Sequence, residues 1–167
     1  REFIKLASGP IFLPIIFGNN QRPTRIGVLA DTHIGAFGEA QAHFWPMLKA
    51  RPVDFWIVAG DVVQIDAGQW KSAKQKLDEL GKPYYVVPGN HDLVYNAGSV
   101  VDNHYLGPAH QDGLTNWTNT FGAMEFCFET EFTRFIGVNS LGWDDGRQAW
   151  LARQLYTHKR VVFVQHH

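Results

Sequence analysis

Short apolar runs that end in polar, metal-binding residue types recur four times along the chain. They are rich in Val, Ile and aromatic residues, which is typical of strands buried on both faces. The runs cover residues 26–30, 55–59, 84–88 and 161–165. Because ligands of open α/β sheets bind beyond the carboxyl ends of the strands, we expect the residues after these runs to share one edge.

Stretches between the runs carry apolar residues at helical spacing, so strands and helices alternate as in an α/β domain. One helix is predicted over 39–49, where Pro46 makes it irregular or splits it, and another over 147–158. A further helix is indicated by the stripe Ala67, Trp70, Ala73, Leu77 and Leu80. Between residues 124 and 139, two strand-like runs flank a predicted hairpin turn at Thr130-Glu131.

The segment 93–122 lacks a clear period and is rich in Asn, Gly, His and Tyr. It is predicted to be a long surface loop, and loops of this length often carry functional residues. Tyr95, Asn96 and Trp117 are therefore candidates for contact with a substrate.

Composition adds limits to this picture. A chain of 167 residues is long enough for one domain with a sizeable core, and its formal net charge of −1 provides no overall basic field for nucleic acid. Cys127 is the single cysteine, so an intramolecular disulfide and a cysteine zinc cage are both excluded. We expect Cys127 to be a small core residue.

Residues 1–22 are interpreted as an export signal and linker that precede the domain at 23–167. A charged head from Arg1 to Lys5 leads into an apolar stretch that is too short and too interrupted by proline to span a bilayer. The start resembles a twin-arginine signal with Arg1 as the second arginine, which implies the twin-arginine export machinery and a periplasmic or extracellular location. The protein would be membrane-anchored if the signal is not cleaved. An amphiphilic arm packed on the domain is the alternative.

The residues that follow the four apolar runs have side chains suited to binding metal ions. Asp31 and His33 are two positions apart, so in extended backbone both side chains point to the same side. Asp61 has two oxygens with which to bridge a second ion, Asn90 offers a neutral oxygen, and His166 an imidazole nitrogen. Mixed oxygen and nitrogen ligands suit Mn, Fe or Zn. Two such ions, about 3.5 to 4 Å apart, can activate water and clamp a phosphate ester.

His91 and Asp92 follow Asn90 directly and are the candidate catalytic residues. A histidine at this position can steady a transition-state phosphoryl oxygen or protonate the leaving alkoxide. We expect Asp92 to orient the His91 ring. The alternative is that Asp92 caps a helix by accepting backbone N–H bonds.

Taken together, Asp31-x-His33, Gly60-Asp61, Gly89-Asn90-His91-Asp92 and His166-His167 resemble the calcineurin-like metallophosphoesterases over residues 25–167. The resemblance implies a four-layer α/β/β/α fold, in which two packed mixed β-sheets are flanked by helices. It also implies hydrolysis of phosphate monoesters or diesters at a dinuclear metal centre by a metal-bound hydroxide.

Carried onto this chain, the family pattern implies that Asp31, His33 and Asp61 hold the first ion. The bridging Asp61, Asn90 and His166 would hold the second, with His91 as the catalytic histidine; His167 stays open as an alternative to His166. The family completes both ions with a Gly-His-x-His element that this chain does not contain. Because the chain also starts without Met, we expect it to be a piece of a longer protein, truncated at its C-terminus. Gln64 stands where purple acid phosphatases have a tyrosine, which argues against that subgroup.

The leading hypothesis is an exported, metal-dependent phosphatase or phosphodiesterase that acts on a small-molecule phosphate ester. One alternative is a non-catalytic domain of the same fold that binds metal or phosphate, since the absent Gly-His-x-His element would supply further ligands. The other is a nuclease.

Overall fold

The computed structural model of the chain describes residues 23–35, 38–64, 69–93 and 108–167. None of the helices in those ranges is long and apolar enough to cross a membrane. The export signal predicted for residues 1–22 lies outside the described residues and stays a prediction. The elements are β1 (Ile26–Leu29), α1 (Gly38–Lys49), β2 (Phe55–Ala59), α2 (Gln69–Asp78), β3 (Tyr84–Val87), α3 (Asn90–Leu93), α4 (Pro108–Phe121), β4 (Phe126–Glu129), β5 (Thr133–Gly137), α5 (Asp145–Leu155) and β6 (Arg160–Val164).

The strands form two three-stranded sheets. Sheet 1 has the order β1-β2-β3 and is parallel throughout, with Ile26 paired to Phe55 and Trp56 paired to Tyr84. Sheet 2 has the order β4-β5-β6, in which β5 is antiparallel to β4 and parallel to β6. All four apolar runs predicted to be strands are strands, and only sheet 2 is mixed. The expected burial on both faces holds for β2, which lies in the centre of sheet 1. It is wrong for β1, where exposed and buried positions alternate, and for β6, which is exposed except at Val164, because both are the last strands of their sheets. The parallel arrangement brings the carboxyl ends of β1, β2 and β3 to the same edge of sheet 1.

The two sheets pack face to face through aromatic side chains. The Phe55 ring lies edge-on to the rings of Phe128 and Phe135, with centroid distances of 5.3 and 5.5 Å. This cluster also contains Ile57, Val87 and Val164, and it is the apolar layer that holds sheet 1 against sheet 2. Each of these large side chains contributes roughly 1.5–3 kcal/mol by its burial.

Helices cover both outer faces. Trp45 of α1, Trp70 of α2 and Trp117 of α4 pack on sheet 1, whereas Trp150 and Leu151 of α5 pack on sheet 2. Cys127 is buried in this second cluster, as expected for a core residue. The predicted α/β fold, with two packed sheets between layers of helix, is confirmed.

Several predicted boundaries hold, and others shift for local reasons. The hairpin turn at Thr130-Glu131 forms, and the Thr130 amide donates to the Thr133 carbonyl oxygen at 2.8 Å. Helix α1 continues through Pro46, so the predicted split does not occur. Helix α5 begins before Arg147 because Asp144 is its N-cap and accepts a hydrogen bond from the Arg147 amide at 2.7 Å.

The predicted surface loop over 93–122 is wrong for its second half, which forms helix α4. Trp117 is fully buried at 0% exposure, and its ring lies edge-on to Trp70 at 6.2 Å. Trp117 is therefore a core residue and not a substrate contact. Leu114, Trp117 and Phe121 do follow helical spacing, but the Gly, Asn and Thr residues around them favour helix weakly. Tyr95 and Asn96 lie outside the described residues.

An ionic network joins the β4–β5 hairpin to the end of α5 and the start of β6. The Arg134 guanidinium donates to Glu129 Oε1 at 2.6 Å and to the carbonyl oxygens of Gln154 and Tyr156 at 2.6 and 3.2 Å. Lys159 approaches the other Glu129 oxygen at 2.7 Å. The hydrogen bond from Lys159, together with Arg134, lowers the pKa of Glu129. This half-buried network connects segments that are distant in the sequence.

We expect Arg134→Met to lower the free energy of unfolding by about 1–2 kcal/mol, because it removes charge-assisted hydrogen bonds to three residues in two separate segments, the end of β4 and the end of α5. Thermal and urea unfolding would measure the loss. Lys74→Met is the control, since Lys74 forms an exposed pair with Asp78 at 2.6 Å within one helix and should cost less than about 0.5 kcal/mol. Equal losses in the two variants would contradict this account.

Candidate metal centre

The segments after β1 and β2 are joined by backbone hydrogen bonds that continue beyond the strands. The Asp31 amide donates to the Gly60 carbonyl oxygen at 3.1 Å, and the His33 amide donates to that of Asp61 at 3.0 Å. The Ile34 amide and the Thr32 hydroxyl both donate to the Val62 carbonyl oxygen, at 2.8 and 3.2 Å. The Asp-x-His segment is therefore held against the Gly-Asp segment along its whole length.

Three of the predicted metal ligands have left-handed backbone. Their φ angles are 54° at Asp31, 40° at His33 and 52° at Asp61, and among the described residues these are the non-glycine positions with positive φ. This differs from the extended backbone expected for Asp31 and His33. The left-handed region costs a residue with a Cβ atom roughly 1–2 kcal/mol. Such strain persists where surrounding contacts impose it, and it is concentrated at functional sites.

The side chain of Asp61 lies where the predicted ligands converge. Its Oδ2 atom is 3.2 Å from His166 Nε2 and 3.8 Å from His33 Nε2. His33 Nε2 is also 3.9 Å from Asp31 Oδ1, and ligand atoms of Asp31, Asp61 and His166 all lie within 4.8 Å of one another. The other oxygen, Asp61 Oδ1, accepts a hydrogen bond from the His91 amide at 2.9 Å. The structure thus brings together Asp31, His33, Asp61 and His166.

The His166 ring connects the end of sheet 2 to the end of sheet 1. Its Nδ1 atom donates to the Ala59 carbonyl oxygen at 2.8 Å, which directs Nε2 towards Asp61. The hydrogen bond with Asp61 raises the pKa of His166 to about 9, against its burial, and the charge of Asp31 adds to the effect. Burial raises the pKa of Asp61, but the hydrogen bonds from His166 and the His91 amide outweigh it and hold that pKa below its usual value. Asp61 and His166 therefore stabilise each other's charged forms.

Asn90 is the first residue of α3 and is buried beside the second histidine of the pair. Its Oδ1 atom is 2.5 Å from His167 Nε2. The His167 amide donates to the Ser140 hydroxyl at 3.3 Å, and burial, with the neighbouring His166, lowers the pKa of the His167 ring. The structure thus places His166 against Asp61 and His167 against Asn90.

Asp92 does not orient the His91 ring as predicted. It is fully buried, and its Oδ1 accepts hydrogen bonds from the amides of Val62 and Val63 at 2.9 and 3.0 Å, while Oδ2 accepts one from the Gly89 amide at 2.9 Å. Burial raises the pKa of Asp92 to about 7 in spite of these three bonds. The alternative, that Asp92 accepts hydrogen bonds from backbone N–H groups, is correct. Two of these groups, at Val62 and Val63, lie in a distant segment, which a local capping pattern does not predict.

His91 has its side chain beside the predicted ligands. The ring lies edge-on to the His33 ring, with a centroid distance of 4.9 Å, and it is partly exposed. Because its backbone amide is held by Asp61, the ring is anchored at the site and still reaches solvent.

Two glycines leave room for the ligands. A Cβ atom at Gly60, where φ is 79°, would lie 2.6 Å from the Cβ of His166. One at Gly89 would lie 2.5 Å from the Asp61 amide nitrogen and closer still to Asp61 Oδ1. The glycines of the Gly-Asp and Gly-Asn-His-Asp motifs therefore permit the approach of side chains from other segments.

Comparison with known proteins identifies the class to which this fold and site belong. The model of the calcineurin-like phosphoesterase family matches residues 24–167, and the chain belongs to that family. The predicted family is confirmed.

A curated relative gives a more particular comparison. The chain is similar to a probable glycerophosphodiester phosphodiesterase, GpdQ, of Arcobacter nitrofigilis, with 27% identity over 130 residues. The similarity covers 72% of this chain and 43% of the relative, so the matched part of the chain spans less than half the length of that protein.

We expect Gly60→Ala to weaken metal binding by at least about tenfold, because its Cβ atom would displace the His166 ring. Gly81→Ala is a matched control, since Gly81 also has positive φ (65°) but has no atom within 4 Å of the added Cβ. The control should lose only about 1 kcal/mol of stability and keep its metal affinity. Isothermal titration with Mn²⁺ and thermal unfolding would separate the two effects, and equal metal affinities would refute the steric explanation.

Proposed function

We propose that the protein is a hydrolase of small-molecule phosphate esters that uses two bound metal ions, with phosphodiesters as the favoured substrate class. The observation that carries the proposal is the convergence of Asp31, His33, Asp61 and His166, three of them in strained left-handed backbone. The preference for diesters is supported by the relative named a phosphodiesterase.

The donor set fits a metal centre of the predicted kind. Carboxylate oxygens and imidazole nitrogens suit Mn, Fe or Zn, and Cys127, the single cysteine, is buried in the core under sheet 2. Asp31, His33 and Asp61 would hold one ion, and Asp61, Asn90 and His166 the other. When bound, such ions supply Lewis acidity to the phosphoryl group and a lowered pKa to coordinated water.

The charges of the protein support phosphate binding once the site is loaded. Asp31 and Asp61 are the two carboxylates among the proposed ligands, the Asn90 amide is neutral, and an imidazole binds a metal ion in its neutral form. Two divalent ions would therefore leave a net positive charge for the oxygens of the ester. Asn90 adds a ligand oxygen without adding negative charge.

His91 is the proposed catalytic histidine. The ring lies beside His33 and is partly exposed, so it can meet a substrate held at the ligands. A proton on a ring nitrogen of His91 would pass to the leaving alkoxide oxygen as the ester bond breaks. The hydrogen bond from the His91 amide to Asp61 holds the backbone of His91 beside the ligands.

Export by the twin-arginine route, to the periplasm or the cell exterior, is proposed from the sequence of residues 1–22. The route carries folded proteins, which suits a protein that binds its metal ions before export.

We expect Asp61→Asn to lower the turnover of bis-nitrophenyl phosphate by at least about 100-fold with added Mn²⁺, because the shared ligand of both proposed ions loses its charge. Asp112→Asn, the same change at an exposed position of α4, should leave turnover unaltered. The assay is run on the full-length protein. If wild type is no faster than Asp61→Asn, the enzymatic proposal fails, and metal binding without turnover would support the non-catalytic alternative.

We expect His166→Ala to lose one equivalent of bound metal and His167→Ala to retain both. His166 Nε2 faces the Asp61 carboxylate, whereas His167 Nε2 faces the neutral Asn90 amide oxygen. Elemental analysis after gel filtration would give the metal content of each variant. Loss of metal from His167→Ala alone would reassign the ligand.

A further inference from the structure

The Asp92 carboxylate lies at a junction of chain segments that carry the proposed ligands. It is 0% exposed, and its two oxygens accept hydrogen bonds from the amides of Val62, Val63 and Gly89. Val62 directly follows Asp61, and Gly89 directly precedes Asn90. One side chain therefore holds the peptide groups next to two proposed ligands.

The Asp31–His33 segment, which carries two further proposed ligands, is hydrogen-bonded to Val62. The amide of Val62 is bound by Asp92, and its carbonyl oxygen accepts hydrogen bonds from the Ile34 amide and the Thr32 hydroxyl. Thr32 lies between Asp31 and His33 in the sequence. The peptide group between Val62 and Val63 therefore connects the two: its N–H donates to Asp92, and its carbonyl oxygen accepts from the Asp31–His33 segment and Ile34.

The turn at Asp61 leaves two neighbouring backbone amides that require a hydrogen-bond acceptor. Two successive amides, Val62 and Val63, point at one oxygen of Asp92, which requires a sharp turn at the preceding residue. Successive N–H groups of this kind form a concave site for an anion. The carboxylate therefore stabilises the left-handed conformation of Asp61, whose φ is 52°.

We propose that Asp92 is a positioning residue that sets the arrangement of Asp61, Asn90 and the Asp31–His33 segment for metal binding. Its carboxylate acts through backbone amides and does not orient the His91 ring, which is attached to the site through its own amide and Asp61 Oδ1. The catalytic consequence rests on the proposed function, but the structural role does not.

The test is Asp92→Asn in the full chain. The amide side chain has the same shape but presents an NH₂ group where an oxygen accepted hydrogen bonds, so either the Val62 and Val63 amides or the Gly89 amide lose their acceptor. We expect amide hydrogen exchange to become at least about tenfold faster at the affected amides. The affinity for Mn²⁺, measured by titration, should fall by about 10- to 100-fold.

Two variants serve as controls. His91→Ala should lose turnover while it keeps the metal affinity and the exchange rates of wild type. Arg134→Met should lower thermal stability and also keep the metal affinity, which separates positioning from a general loss of stability. An orienting role predicts the reverse pattern for Asp92→Asn, namely unchanged metal affinity and exchange with an altered pH profile of kcat, and this result would overturn the proposal.

A measurement on wild type covers the case in which Asp92→Asn does not fold. The amides of Val62, Val63 and Gly89 should be protected from exchange in the metal-free protein, and rapid exchange at all three would overturn the proposal. These measurements do not depend on turnover, so a failure of the proposed enzymatic function would leave the positioning role supported or refuted on its own.

Discussion

The left-handed turn at Asp61 is the constraint on which the arrangement of the site depends. Asp61 follows β2 in the centre of sheet 1, and its carboxylate faces His33 and His166 on one side and the His91 amide on the other. Its conformation is unfavourable by roughly 1–2 kcal/mol, whereas each hydrogen bond between the segments returns about 1 kcal/mol. The two bonds that Asp92 accepts from the amides of Val62 and Val63 are of the size needed to offset that cost.

The proposed ligands come from both sheets. Sheet 1 supplies Asp31, His33, Asp61 and Asn90, but His166 follows β6 of sheet 2. The hydrogen bond from His166 to Ala59 joins the two sheets at the site, and the aromatic layer around Phe55 sets the distance between them. A change in that layer would therefore move one ligand relative to the others, even though the layer contains no metal-binding residue.

The sequence alone predicts those strands and site residues that have a strong local pattern. Continuous apolar runs predicted β1, β2, β3 and β6, although burial on both faces, the reason for that prediction, holds for β2 and not for β1 or β6. Helix α4 was missed, since its buried positions are separated by residues of weak helix propensity. Asp92 was assigned to the wrong partner because its acceptor role depends on Val62 and Val63, which are about thirty residues away.

By itself, the sequence determined the family, the positions of the strands along the chain and the residue types that follow them, because these depend on local pattern and chemistry. The left-handed backbone of Asp31, His33 and Asp61, the distinct partners of His166 and His167, and the contacts of Asp92 were decided by the tertiary structure. Each of these features requires hydrogen bonds between segments that meet only when the sheets have formed. The metal-binding geometry is therefore a property of the assembled edge, although its residues can be named from the sequence.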